Sequence, residues 1–150
     1  MRYLLDTSVI SEYIKKKPTQ RVIDWLDIQE ERGLYISSLT LAELKKGFHK
    51  LQANAANSND TRRVEMLGIW LQQLESRFLN RIIALDERVL DRWAMVCGRS
   101  EATGKKLPII DSLLVATAEV HAMIAVTRNV ADFRRCSDSV DILNPFESKT

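Results

Sequence analysis

The sequence predicts an α/β protein with three layers, α/β/α, around a central and mainly parallel sheet of four to five strands. Two observations carry this. Short apolar runs of strand character alternate with longer segments of helical periodicity along the 150 residues, the order that builds a parallel sheet with crossover helices. The apolar runs are also continuous and do not alternate with polar residues, as in Leu34-Tyr35-Ile36 and Met123–Val126. Continuous runs belong to strands covered on both faces.

Taken in order, Arg2–Leu5 reads as the first strand. Ser8–Lys15 reads as a helix with Ser8 in the N-cap role. Thr19–Gln29 is a second helix whose apolar face is Val22, Ile23, Trp25 and Leu26; Gly33 follows it, and Leu34–Ile36 is a strand. Thr40–Leu51 is the next helix, and the polar stretch Gln52–Asp60 reads as a turn. Val64, Leu67, Leu71, Leu74 and Phe78 recur in steps of three and four, which marks a long amphipathic helix. Ile82–Leu85 is a strand and Asp86–Ala102 a helix broken by Gly104. Pro108 opens a helix that runs to about His121. Met123–Val126 and Val140–Leu143 are the last strands. A chain of this length, with no linker and no internal repeat, is expected to form one domain over residues 1–150.

Composition excludes several classes. At 45% hydrophobic the chain can bury an ordinary core. A net charge of +2 neither demands nor forbids a nucleic-acid partner, so local patches decide. Cys97 and Cys136 lie far apart in sequence, without CxxC spacing or a histidine companion, and read as reduced thiols. The start of the sequence lacks a basic segment followed by a long apolar stretch. The apolar runs fall well short of the roughly 18 residues that span a bilayer. A cytoplasmic protein without membrane contact is the expectation.

Chemistry concentrates in acids beside breaks in apolar segments. Asp6 ends the first strand. Glu43 and Asp111 lie in the first turns of helices, and Asp132 closes Thr127-Arg128-Asn129-Val130-Ala131-Asp132. In a parallel sheet, ligands bind beyond the carboxyl ends of the strands, near a switch in strand order. All four acids belong to that side. A cluster of carboxylates holds a hard cation such as Mg2+, which supports hydrolytic or phosphoryl-transfer chemistry. Each acid also has an ordinary reading. Asp6 could cap the following helix, although Ser8 is available for that. Thr40-x-x-Glu43 fits a capping box. Asp111 suits the positive end of a helix, and Asp132 suits a turn or helix start. Thr7 could orient Asp6 from behind, while Thr127 and Asn129 either terminate a strand or support the site.

Basic residues gather near these acids: Lys45, Lys46 and Lys50 after Glu43, Lys105 and Lys106 before Asp111, and Arg128 before Asp132. As a rim around an acidic pocket they would guide a phosphate backbone. His49 and His121 lack metal-ligand spacing and read as structural. Trp25, Trp70 and Trp93 sit at helical positions that suit a core or a subunit interface.

Five segments together resemble a known family. They are Leu4–Glu12, Ser37–Gly47, Leu107–Ala118, Val126–Phe133 and Asn144-Pro145-Phe146. In this order they are similar to the PIN-domain nucleases, and most closely to VapC-type toxins of bacterial toxin–antitoxin pairs, FitB-like members included. The resemblance implies a PIN-like fold and a ribonuclease dependent on Mg2+ or Mn2+. It further implies a homodimer neutralised by a cognate VapB-type antitoxin. It carries the acidic site onto Asp6, Glu43 and Asp111, with Asp6 and Asp111 as the metal-binding pair and the fourth position falling on either Asn129 or Asp132. Many relatives have an acid where Asn129 stands here; Asn129 offers a neutral oxygen and adds no charge. Ser8 and Phe146 replace the asparagine and tryptophan of many members. A haloacid-dehalogenase-type phosphatase would need a second aspartate where Ser8 stands. The alternative within the fold is an RNA- or partner-binding protein with little or no turnover.

Overall fold

A computed structural model describes residues 1–55 and 60–148. Strands β1 (Tyr3–Leu5), β2 (Leu34–Ser37), β3 (Ile82–Ile83), β4 (Ile124–Val126) and β5 (Ile142–Leu143) form one sheet in the order β3-β2-β1-β4-β5. Every neighbouring pair is parallel, with Leu4 opposite both Tyr35 and Ala125 and Leu5 opposite Val126. The helices among the described residues are α1 (Thr7–Ile10), α2 (Gln20–Ile28), α3 (Ser38–Ala55), α4 (Thr61–Arg77), α5 (Glu87–Ala102), α6 (Ile109–His121) and α7 (Val130–Cys136).

The two-residue period of a strand divides the core into two layers. Leu5, Ile36 and Val126 face a cluster with Val9, Ile10, Val22, Leu26, Leu41, Leu74 and Phe78, supplied by α1 to α4 and the end of α4. Leu4 and Ala125 face the opposite cluster, where Cys97, Leu114, Ala118, Phe133 and Cys136 come from α5 to α7. Phe78 and Phe133 are the largest fully buried side chains, one in each layer; truncating either to alanine would cost roughly 3–5 kcal/mol. Both cysteines are buried and unbridged. No helix among the described residues is long and apolar enough to cross a membrane.

Several predicted boundaries move. The first helix starts at Thr7 with Asp6 as its N-cap, not Ser8, and gives way to a 3₁₀ turn over Ser11–Ile14. Helix α3 starts at Ser38, ahead of the predicted Thr40, and runs on through Gln52–Ala55, where a turn was expected. The rest of that expected turn, residues 56–59, lies outside the described residues. Helix α7 was not anticipated. Its seven residues contain Arg134 and Arg135 on the exposed side and only Phe133 and Cys136 buried, too short a pattern for periodicity to reveal.

An ionic clasp fastens the amino-terminal layer. Arg77 makes a bidentate pair with Glu31, at 2.6 and 2.8 Å, and Arg81 adds a contact to Glu31 at 2.9 Å. Arg77 foremost, with Arg81, holds the Glu31 carboxyl well below its ordinary range, at about 2, against the opposing effect of burial.

The order of the strands fixes where a ligand can sit. From β1 the chain steps outward through β2 to β3, then returns to the other side for β4 and β5. The switch in direction falls between β1 and β4, and the crevice it opens lies beyond their carboxyl ends.

Candidate active site

Asp6 and Thr127 occupy the floor of this crevice, one after β1 and the other after β4. The Asp6 amide still donates to the Val126 carbonyl at 2.9 Å, so the residue is an extension of the sheet. Its side chain is only 6% exposed. Oδ1 accepts from the Thr7 amide at 2.7 Å; Oδ2 accepts from the Ser8 hydroxyl at 2.8 Å and the Thr127 hydroxyl at 2.8 Å. Asp6 therefore does cap α1, and Ser8, the expected cap, supports Asp6 instead. A carboxylate has about four acceptor positions, and the remaining one is left for a ligand.

Thr127 is fully buried. Its hydroxyl donates to Asp6 and accepts the Asn129 amide at 3.0 Å. The Arg128 amide donates to the Ser8 hydroxyl at 3.3 Å. Two hydroxyls thus tie the loop after β4 to the acid after β1.

Glu43 joins from α3. It accepts the Thr7 hydroxyl at 2.8 Å. The expected capping box is absent, because α3 begins before Thr40 and Ser37 supplies the first side-chain acceptor, to the Leu39 amide at 3.0 Å. Thr40 is buried inside the helix, with its hydroxyl unpartnered among the described residues. Thr7 serves both acids, through its amide to Asp6 and its hydroxyl to Glu43.

Asp111 approaches from the first turn of α6, half-buried. Burial foremost, then the negative charges of Asp6, Asp132 and Glu43, pushes its carboxyl up from 3.8 to about 6. The other three acids picked out in the sequence therefore all lie near enough to Asp111 to act on it. The turn that carries Asp111 is pinned by Ser112, which donates to the Ile109 carbonyl at 2.9 Å and accepts the Trp93 indole N–H at 2.9 Å. Trp93 was expected only to pack; nothing in its spacing signalled this contact across two helices.

Asp132, on α7, is more peripheral. Its side chain is 46% exposed and lies 3.4 Å from Arg135. Asn129 precedes α7 and makes no capping bond with its side chain. Among the basic candidates, Lys45 is paired with Glu75 of α4. Lys46, Lys50, Lys105 and Lys106 are exposed, without ion pairs among the described residues. The Arg128 guanidinium lies 4.6 Å above the Phe146 ring.

The donor chemistry of the four acids suits a hard divalent cation: all are oxygen ligands, and their mutual repulsion is what such an ion relieves. Among the described residues no three acidic, histidine or cysteine side chains stand close enough together to hold a metal ion. The carboxylates from α3, α6 and α7 would have to close on Asp6.

Comparison with known proteins agrees with this fold. The chain is 32% identical over 143 residues to Toxin FitB of Neisseria gonorrhoeae, covering 95% of this chain and 97% of that protein. It is 30% identical over 148 residues to VapC ribonuclease Y4jK of Sinorhizobium fredii, covering 96% and 97%. The crystal structure of FitAcB from Neisseria gonorrhoeae contains a chain of 31% identity that superposes with a TM-score of 0.83 over 97% of this chain and 99% of that one. The family description that matches residues 3–138 takes in every strand but the last and all four acids; this chain belongs to the PIN domain family.

Proposed function

We propose that this chain is an endoribonuclease toxin that hydrolyses RNA phosphodiester bonds with Mg2+ or Mn2+ and is neutralised by a cognate VapB-type antitoxin. The observation that supports the reading best is the buried Asp6 at the strand-order switch, with Glu43 joined to it through Thr7 and Asp111 near enough to both for their charge to raise its carboxyl. Two relatives support the class, one named a toxin and one a VapC ribonuclease.

In this reading Asp6 and Asp111 hold the cation. When bound, a divalent ion lowers the pKa of water and neutralises charge developing on the phosphate. Asp6 contributes a fixed ligand, since Thr7, Ser8 and Thr127 leave it no rotamer freedom. Glu43, aimed by Thr7, orients the attacking water and receives its proton. Asp132 lies at the rim and adjusts the field. A side-chain nucleophile is not required.

The proposed assembly is a cytoplasmic homodimer, in keeping with the unbridged thiols. An antitoxin segment with a basic side chain among the acids would compete with the cation by charge. The test is cleavage of single-stranded RNA by the purified protein with Mg2+, with EDTA, and with the Asp6→Asn variant. Cleavage only by the wild type in Mg2+ supports the reading. RNA binding without turnover would replace it with a binding role. Growth arrest on expression, relieved by co-expression of a VapB-type antitoxin that binds the protein, tests the toxin part, and light scattering tests the dimer.

A further inference from the structure

Arg128 stands out among the cations near the site, because it is held by an aromatic ring and not by an acid. Its backbone is tied to Ser8, and its guanidinium lies over Phe146. Phe146 is itself fixed. It packs against the core cluster of Leu5, Val9 and Val126, and its amide donates to the Asn144 side-chain oxygen at 3.0 Å. No ion pair to Arg128 occurs among the described residues. Arg128, Asn129, Asp132, Asn144 and Glu147 line an open cavity of about 580 Å³ that reaches the acids only at the peripheral Asp132, within the size range of small-ligand clefts.

We propose that this cavity receives the nucleotide next to the scissile phosphate of a single-stranded RNA, with Arg128 clamping its phosphate from the Phe146 perch; the proposal rests on the ribonuclease reading above. A guanidinium stacked by one face on a ring keeps its edge N–H groups free, in the planar fork that matches a phosphate. The Asn144 oxygen is taken by Phe146, so its amide N–H groups remain as donors, while Glu147 is acceptor-only. A donor and an acceptor on one wall suit the edge of an unpaired base. Duplex RNA hides those edges, whereas single-stranded loops expose them. Asp132 is paired with Arg135 at 3.4 Å, which lessens its repulsion of a phosphate.

The test uses a short fluorescein-labelled single-stranded RNA, titrated in Mg2+ at several salt concentrations against full-length protein carrying Asp111→Asn to suppress turnover. Adding Arg128→Ala should weaken binding about tenfold and make the logarithmic salt slope shallower by roughly 0.7, the loss of one phosphate contact on a single strand. Arg128→Lys should keep the slope and recover part of the affinity. Phe146→Leu should weaken binding about threefold while the protein stays folded with a modestly lower melting temperature, and Phe146→Tyr should not weaken it. Wild-type affinity and slope in Arg128→Ala would overturn the clamp, and wild-type affinity in Phe146→Leu would overturn the perch. Active enzyme separates this proposal from the nuclease reading. Cleavage with an unchanged KM in Arg128→Ala sinks only the cavity; Arg128-dependent binding by a protein that never cleaves sinks only the nuclease reading.

Discussion

The Thr7 hydroxyl donates to the Glu43 carboxylate at 2.8 Å, joining the first residue of α1 to the second turn of α3. The same threonine donates its amide to Asp6 at 2.7 Å. One residue therefore sets the relative position of two acids that are far apart in sequence, and Glu43 is committed to the crevice and not to capping its own helix.

Glu43→Gln should separate chemistry from structure. The amide oxygen can still accept from Thr7, so the melting temperature should hardly change. Cleavage should fall by about two orders of magnitude or more, since glutamine cannot receive a proton. Thr7→Val should be milder, with a loss of about tenfold in kcat and a change of about 1 kcal/mol in stability. Single-turnover cleavage beside thermal melts reads both.

Much of this was legible in the sequence, and the gaps have physical causes. Continuous apolar runs gave away the parallel sheet, and placing Asp6, Glu43 and Asp111 at element ends gave away the crevice. The capping reading of Glu43 could not be settled there, because Thr40-x-x-Glu43 has capping-box spacing whether or not the helix starts at Thr40; the structure starts it at Ser38. Ser8 reads as a cap in the sequence because a hydroxyl suits that role as well as a carboxylate. The Trp93–Ser112 and Arg128–Phe146 contacts join residues distant along the chain, and neither spacing nor composition encodes them.

Thr127→Val tests the floor of the site. Valine matches the shape but leaves the Asn129 amide without its acceptor and removes a donor from Asp6. Loss of buried partners should cost about 1–3 kcal/mol in denaturant unfolding. Cation affinity should fall by about 10- to 100-fold, as is usual when a group orienting a ligand is removed.

Asp111 predicts an unusual pH dependence for metal-free protein. Its carboxyl is raised from 3.8 to about 6 on folding. A raised carboxyl contributes stability below about pH 4, and that contribution is lost as pH rises through about 6. In EDTA the melting temperature of the wild type should carry this downward component, and Asp111→Asn should lack it and melt higher at neutral pH. Mg2+ should offset the component in the wild type only.

Glu31 predicts the opposite sign. Its carboxyl falls from 4.5 to about 2 beside Arg77. Its contribution is present above about pH 4.5 and is lost as pH drops towards 2. The pair is half-exposed, so Glu31→Gln should cost only about 1 kcal/mol at neutral pH. Denaturant unfolding at pH 7 and at pH 2 should show the difference between wild type and variant disappear in acid.

The claim that Asp6 and Asp111 hold one cation is tested most directly by Mn2+ uptake, followed by electron paramagnetic resonance on metal-free protein. The wild type should bind Mn2+ in competition with Mg2+. Asp6→Asn and Asp111→Asn should each abolish this uptake while remaining folded, and Asp132→Asn should only weaken it. Undiminished uptake by folded Asp6→Asn and Asp111→Asn, or no uptake by folded wild type, would contradict the account.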